Sequence, residues 1–210
     1  MLYRDMMVLQ AWFSPAFPIG AFSYSHGLET AIQEGLVSEK ASLTRWISYL
    51  LTDGSGWNDS LFLKAAYEKS EGANDLCLSF CSSKERYKET IELGAAFTRS
   101  VNSSYKMKLE HGLAYPVAVG LAARKYNLDL QLTIQSYLQA FAANLISVGV
   151  RTIPIGQQAG QDCLVSLCTV IEHMKNDLIK ADLKRLGSAT FMSEVMSMKH
   201  EKANLRIYRT

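Results

Sequence analysis

The chain has 210 residues, 48% of them hydrophobic and 20% charged, with a formal net charge of +2. That is the composition of an ordinary globule, long enough to bury a sizeable core in one domain. It holds no Lys/Arg block to mark a nucleic-acid footprint, no apolar run long enough to span a bilayer, and only four cysteines, too few for a disulfide framework.

Met1 to Gln10 carries Arg4 and Asp5 and lacks an apolar signal core, so the chain is expected to be cytoplasmic. From Phe13 to Glu29 the sequence reads FSPAFPIGAFSYSHGLE. Pro15 and Pro18 fix φ and remove two donors, and Gly20 permits a turn or a close approach. A helix is expected after Gly20, with Phe22, Tyr24, Ser25, Leu28 and Ala31 on it. Two readings follow from these residues: a segment packed on its own core, or a preformed docking surface of rigid aromatic anchors.

Helical spacing continues along the chain. Leu43, Trp46, Ile47, Leu50 and Leu51 form one stripe, closed by Gly54 and capped by Ser38 or Ser42. A shorter helix with Leu61, Phe62, Ala65 and Ala66 is expected after a turn at Asn58–Asp59, and another follows Asn74 with Cys77, Phe80 and Cys81. Lys84 to Asn102 places Tyr87, Ile91, Gly94, Thr98 and Val101 on one stripe, and Ala114 to Tyr126 tolerates Pro116 in its first turn. Leu130 to Gly149 buries Ile134, Leu138, Phe141, Leu145 and Val148. Pro154 breaks the chain before helices at Gly160 to Met174, Asn176 to Leu186 and Ala189 to Lys199. No period-two alternation occurs, so the expected fold is all-α: residues 1–210 as a single-domain bundle of about ten helices, with 201–210 as a tail.

Catalytic motifs fail their spacing tests. No Gly-Lys dipeptide exists, which excludes a phosphate-cradling loop of the G-x-x-x-x-G-K kind. His200–Glu201 lacks the second histidine of H-E-x-x-H, and Ser23-Tyr24-Ser25-His26-Gly27 lacks the first glycine of G-x-S-x-G. Cys77/Cys81 and Cys163/Cys168 have no histidine at ligand spacing and read as buried, inert thiols. The chain is not expected to be an enzyme. A hydrolase built on Ser25–His26 or His200–Glu201 is the reading that competes. The tail interleaves Leu205, Ile207 and Tyr208 with Arg206 and Arg209, which reads either as a frayed end or as a segment that orders on a partner.

Three stretches carry a resemblance. The opening SPAFPIGAFSYSHGLE, the segment RTIPIGQQAGQ from Arg151 to Gln161, and SMKHE followed by LRIYRT at the end are similar, in that order, to the urease accessory protein F family. The resemblance implies an all-α homodimer that is not an enzyme. It would act as a nickel-insertion chaperone, bridging a D/H-type accessory protein and a GTPase accessory protein (G) during maturation of apo-urease. It implies no cofactor bound directly, since nickel and GTP are handled by the complex, and no nucleic-acid or membrane partner. The partner-interface residues it implies are Phe17, Pro18, Gly20, Phe22, Ser23, Tyr24 and Glu29 in the opening stretch and Arg151, Gln157 and Gln161 in the middle one. In the tail they are His200, Glu201, Arg206, Tyr208 and Arg209, implied to contact the D/H-type partner. A helical adaptor unrelated to urease is the alternative function.

Overall fold

The computed structural model describes residues 2–209, and among them it has ten α-helices, two short 3-10 turns and no strand. The helices are α1 (Leu2–Trp12), α2 (Leu28–Gln33), α3 (Lys40–Asp53), α4 (Ser55–Tyr67), α5 (Ala73–Ser79), α6 (Lys84–Ser104), α7 (Tyr115–Lys125), α8 (Leu130–Thr152), α9 (Gly156–Lys180) and α10 (Phe191–His200). The all-α expectation holds.

α4 forms the axis of the bundle. Every residue from Gly56 to Ala66 is buried, because α3, α5, α7, α8 and α9 surround it. A helix enclosed on all sides shows no amphipathic stripe, which explains why the sequence suggested a turn at Asn58–Asp59. Both residues lie inside the helix instead. Asn58 is satisfied by Gly187, donating to its carbonyl at 2.7 Å and accepting its amide at 3.1 Å. Lys64, also buried, donates to the carbonyls of Ile179 and Ala181 and so caps the end of α9.

α7 crosses α4 at Gly120, where a Cβ would strike the carbonyl oxygen of Leu63. A backbone atom cannot swing aside as a flexible side chain can. Gly120→Ala is therefore expected to lower the unfolding free energy by about 2 kcal/mol or more in denaturant titration. An unchanged midpoint would show that the two helices are free to separate.

Three other boundaries depart from expectation. α1 escapes a periodicity reading because its buried side chains, among those described, are Asp5, Leu9 and Trp12, so an aspartate stands on its core face. Asp5 is buried because its Oδ2 accepts the Asp129 amide at 3.3 Å. The helix expected from Phe22 begins only at Leu28, since His26 and Gly27 both adopt positive φ (53° and 75°). α9 runs unbroken through Asn176 to Lys180, leaving only the 3-10 turn Leu183–Arg185 from the helix expected there. The α8 stripe from Ile134 to Val148 is buried as expected.

Candidate docking site at the opening loop and the tail

Pro15, Pro18 and the left-handed Gly20 (φ 75°) lead into the 3-10 turn Ala21–Ser23. Phe17 turns inward and its ring lies 5.6 Å from that of Phe97, whereas Phe22 stays 59% exposed. Tyr24 is extended and buried, and its hydroxyl donates to Glu92 at 2.6 Å. Burial, then the Glu92 carboxylate, push this phenol above its ordinary range. Gly27 allows α2 to meet α10 backbone to backbone, since a Cβ there would sit 2.7 Å from the Ser197 nitrogen.

The tail folds back onto this loop. Glu29, in the first turn of α2 and 2% exposed, accepts hydrogen bonds from His200 Nε2 (3.1 Å) and from the amides of Ile207 (2.8 Å) and Tyr208 (3.0 Å). Glu85 of α6 faces His200 Nδ1 at 2.9 Å and takes Arg206 Nη1 at 2.9 Å. Each ring nitrogen of His200 thus faces one buried carboxylate, Glu29 on one side and Glu85 on the other. Glu201 accepts the Lys84 amide at 2.9 Å. Arg209 donates its amide to the Ser23 carbonyl at 2.7 Å, and its guanidinium reaches Glu92 at 3.2 Å, the same carboxylate that binds Tyr24.

The tail residues named from the sequence are thus clamped against the chain itself. His200 and Tyr208 are buried, whereas Leu205 (85% exposed) and Ile207 (75%) face outward. Together with Phe22, Phe191, Met192 and Met198 they supply the exposed apolar side chains of these segments. Neither a frayed end nor an unattached arm describes this segment.

The middle motif has a mixed character. Ile153 is in the core and Gly160 lies against Val150, but Arg151, Gln157 and Gln161 are all exposed.

Beneath the opening loop lies a buried polar cluster that sequence reading missed. Arg86 pairs with Glu89 (3.0 Å) and Asp59 (3.4 Å), Tyr137 donates to Asp59 at 2.8 Å, and His26 Nε2 meets Glu89 at 2.9 Å. These groups separate two small cavities, one beneath Phe13, Phe17 and Phe22 and the other beneath Cys77, Cys81 and Ser193. Burial raises the Glu89 carboxyl, but Arg86 and His26 outweigh it and hold that group at about 2. Asp59 moves the other way: burial pushes it up, and Arg86 and Tyr137 recover only part of the shift. Burial also pushes the Cys77 thiol up, away from the reactive thiolate. Among the described residues, no group of three His, Cys, Asp or Glu side chains is placed to hold a metal ion. Nor do the hydrolase pairs assemble around one another: His26 turns to Glu89, Ser25 Oγ takes the Glu29 amide, and His200 is held by Glu29 and Glu85.

The cluster left one trace in the sequence. Glu85, Glu89, Leu93, Phe97 and Val101 share the buried face of α6, whereas Tyr87 of the expected stripe is exposed. Two glutamates in line with a core stripe are the signal.

Comparison with known proteins agrees with the family resemblance. The UreF family model matches residues 37–168, more than half of the chain. The urease accessory protein UreF of Ruegeria pomeroyi is 40% identical over 212 residues, covering 99% of this chain and 97% of that protein. The urease accessory protein UreF 1 of Brucella anthropi is 38% identical, with 98% and 94% covered, and a UreF of Cereibacter sphaeroides is 41% identical, with 98% of each covered. Both ends of the chain, including the loop and the tail, therefore lie within full-length likeness to these proteins, and the chain belongs to the UreF family of urease accessory proteins.

Proposed function

We propose that this chain is a non-catalytic scaffold for urease maturation. It bridges a D/H-type accessory protein and a GTPase accessory protein so that nickel reaches apo-urease when the GTPase turns over. The observation that carries the reading is the welding of the tail to the opening loop through Glu29, Glu85 and Glu92. That arrangement gives a preorganised face on which Phe22, Leu205 and Ile207 stand exposed. A face held rigid before contact loses little entropy on docking. On this reading the tail face takes the D/H-type partner, nickel and GTP belong to the assembly rather than to this chain, and the working form is a cytoplasmic homodimer. Neither nucleic acid nor membrane is a partner.

Omitting this chain from a reconstitution that contains apo-urease, nickel, GTP and the other accessory proteins should leave urease inactive. Full activation without it would dismiss the reading in favour of an adaptor unrelated to urease.

Arg151 offers a sharper check. It is exposed at the end of α8, and surface substitutions of this kind change stability by only about 0.5 kcal/mol. Arg151→Ala should shift Tm by no more than about 2 °C while lowering urease activation about tenfold or more, the effect of losing an interface arginine. A large fall in Tm with normal activation would make it a structural residue.

A further inference from the structure

The 21-residue helix α6 ends at Ser104, beyond Glu85 and Glu92, which take the tail arginines. Its C-terminus leads into residues 105–114, a stretch without regular structure that borders a groove lined by Lys69, Lys108, Arg124, Lys125, Leu113 and Leu121. The floor is aliphatic: Leu113 is buried, and Leu109 and Leu121 are half-buried. The rim is cationic. Four basic residues stand against one carboxylate, Glu110, in a chain whose whole formal net charge is +2. Among the described residues none of Lys69, Lys108, Arg124 or Lys125 forms an ion pair; of the acids close to Lys69 in sequence, Glu68 is 3.9 Å from Lys64 and Glu71 is exposed.

The groove is preformed. Asn102 brackets Leu109, donating to its carbonyl at 2.9 Å and accepting its amide at 2.7 Å. Asn74 accepts the Ala114 amide at 2.8 Å and donates to the Gly112 carbonyl at 3.3 Å. Arg124 is tied to the Tyr67 carbonyl at 2.8 Å, joining the ends of α4 and α7. Backbone geometry points the same way. Lys69, Lys106 and Lys108 all have positive φ (63°, 55° and 57°), a region that glycine or asparagine occupies at lower cost. Lysine at such positions costs stability, and strained residues of this kind concentrate at sites of function.

We propose that this groove docks an acidic segment of a partner protein, its carboxylates meeting the lysine and arginine rim and its aliphatic side chains meeting Leu109, Leu113 and Leu121. A polyphosphate backbone would match the rim but waste the floor, and an uncharged apolar segment would leave the cations unanswered. The groove shares no lining residue with the tail clamp, so its test is independent of the urease reading.

The test is fluorescence anisotropy of the full-length protein with a labelled peptide of sequence EELEELEE. Saturable binding is expected at about 1–100 µM, weakening about tenfold or more both for Lys69→Glu/Lys108→Glu and on raising salt from 50 to 500 mM, roughly the range over which exposed charges become screened. Lys69→Gln/Lys108→Gln, which reverses no charge, should weaken it less, and both variants should keep the wild-type melting curve. An EEGEEGEE peptide should bind more weakly than EELEELEE. Absence of saturable binding, equal binding of the glycine peptide, equal binding by the charge-reversed protein, or tighter binding of a single-stranded RNA than of EELEELEE would each overturn the proposal.

Discussion

Glu29→Ala will release the tail. This carboxylate accepts from the His200 ring and from two tail amides, and it is buried. Removing it leaves the Tyr208 and Ile207 amides without their acceptor and takes from the His200 ring one of its two hydrogen-bond partners. Each unmet buried donor costs about 1–3 kcal/mol, so local stability of the docked tail should fall by about 3–5 kcal/mol. That loss is enough to turn a rarely opened segment into one that is mostly open. In the wild type, trypsin should cut slowly after Lys202 and Arg206, and the Tyr208 amide should exchange slowly with deuterium. In Glu29→Ala both should approach the rates of an unstructured peptide, while the core helices keep their protection. Glu29→Gln, which retains an acceptor oxygen, should fall between the two. Unchanged protection at Tyr208 would mean that the clamp holds the tail by other contacts.

Arg86→Met will lower global stability more than any exposed substitution. Arg86 is the cation shared by Asp59 and Glu89 in the interior. Without it Asp59 and Glu89 lose the cation between them, while Tyr137 still donates to Asp59 and His26 still meets Glu89. Breaking a buried pair in this way costs about 3–5 kcal/mol, equivalent to roughly 10 °C in Tm for a chain of this size.

The pH dependence adds a signature that lost packing alone would not produce. Glu89 is held at about 2 against an ordinary value of 4.5, so the stability it contributes is complete above pH 4.5 and is lost as pH falls toward 2. Asp59 has the opposite sign: its carboxyl is raised, so its contribution is greatest when protonated and declines as pH rises through its folded value. In Arg86→Met the cation that depresses Glu89 is gone, and that carboxylate too should favour the protonated state. The stability gap between wild type and variant should therefore narrow as pH drops from 7 toward 3, measured by denaturant midpoints. A gap that stays constant would assign the loss to packing. Arg86→Met/Glu89→Gln should recover part of the loss at pH 7.

The particular elements explain what could be read in advance. α3 and α8 were legible because each buries one face, and α7, buried almost all round, because it is alanine-rich and opens on a proline. In α3 and α8 apolar residues recur at helical spacing, and Gly54 and Pro116 mark an end and a beginning where expected. α4 was half legible because it is buried on every side and carries Asn58, Asp59 and Lys64 inside, where periodicity has nothing to report. α1 was illegible because an aspartate holds one of its core positions. At the candidate site, the opening run and the tail stood out as motifs, but their mutual contact did not. Glu29 and His200 are brought together across 171 positions of sequence, and pairings of that range arise only from the packing of α2 on α10. The inward direction of Tyr208 was hidden for the same reason, since an aromatic near a chain end reads as readily as a partner anchor.

What most directly tests the account is association. Purified full-length chain, mixed at micromolar concentration with a D/H-type urease accessory protein and then with the GTPase accessory protein, should co-elute with both in size-exclusion chromatography with light scattering. The Glu29→Ala chain, with its tail released, should fail to hold the D/H-type protein. A wild-type chain that elutes apart from both proteins would contradict the scaffold.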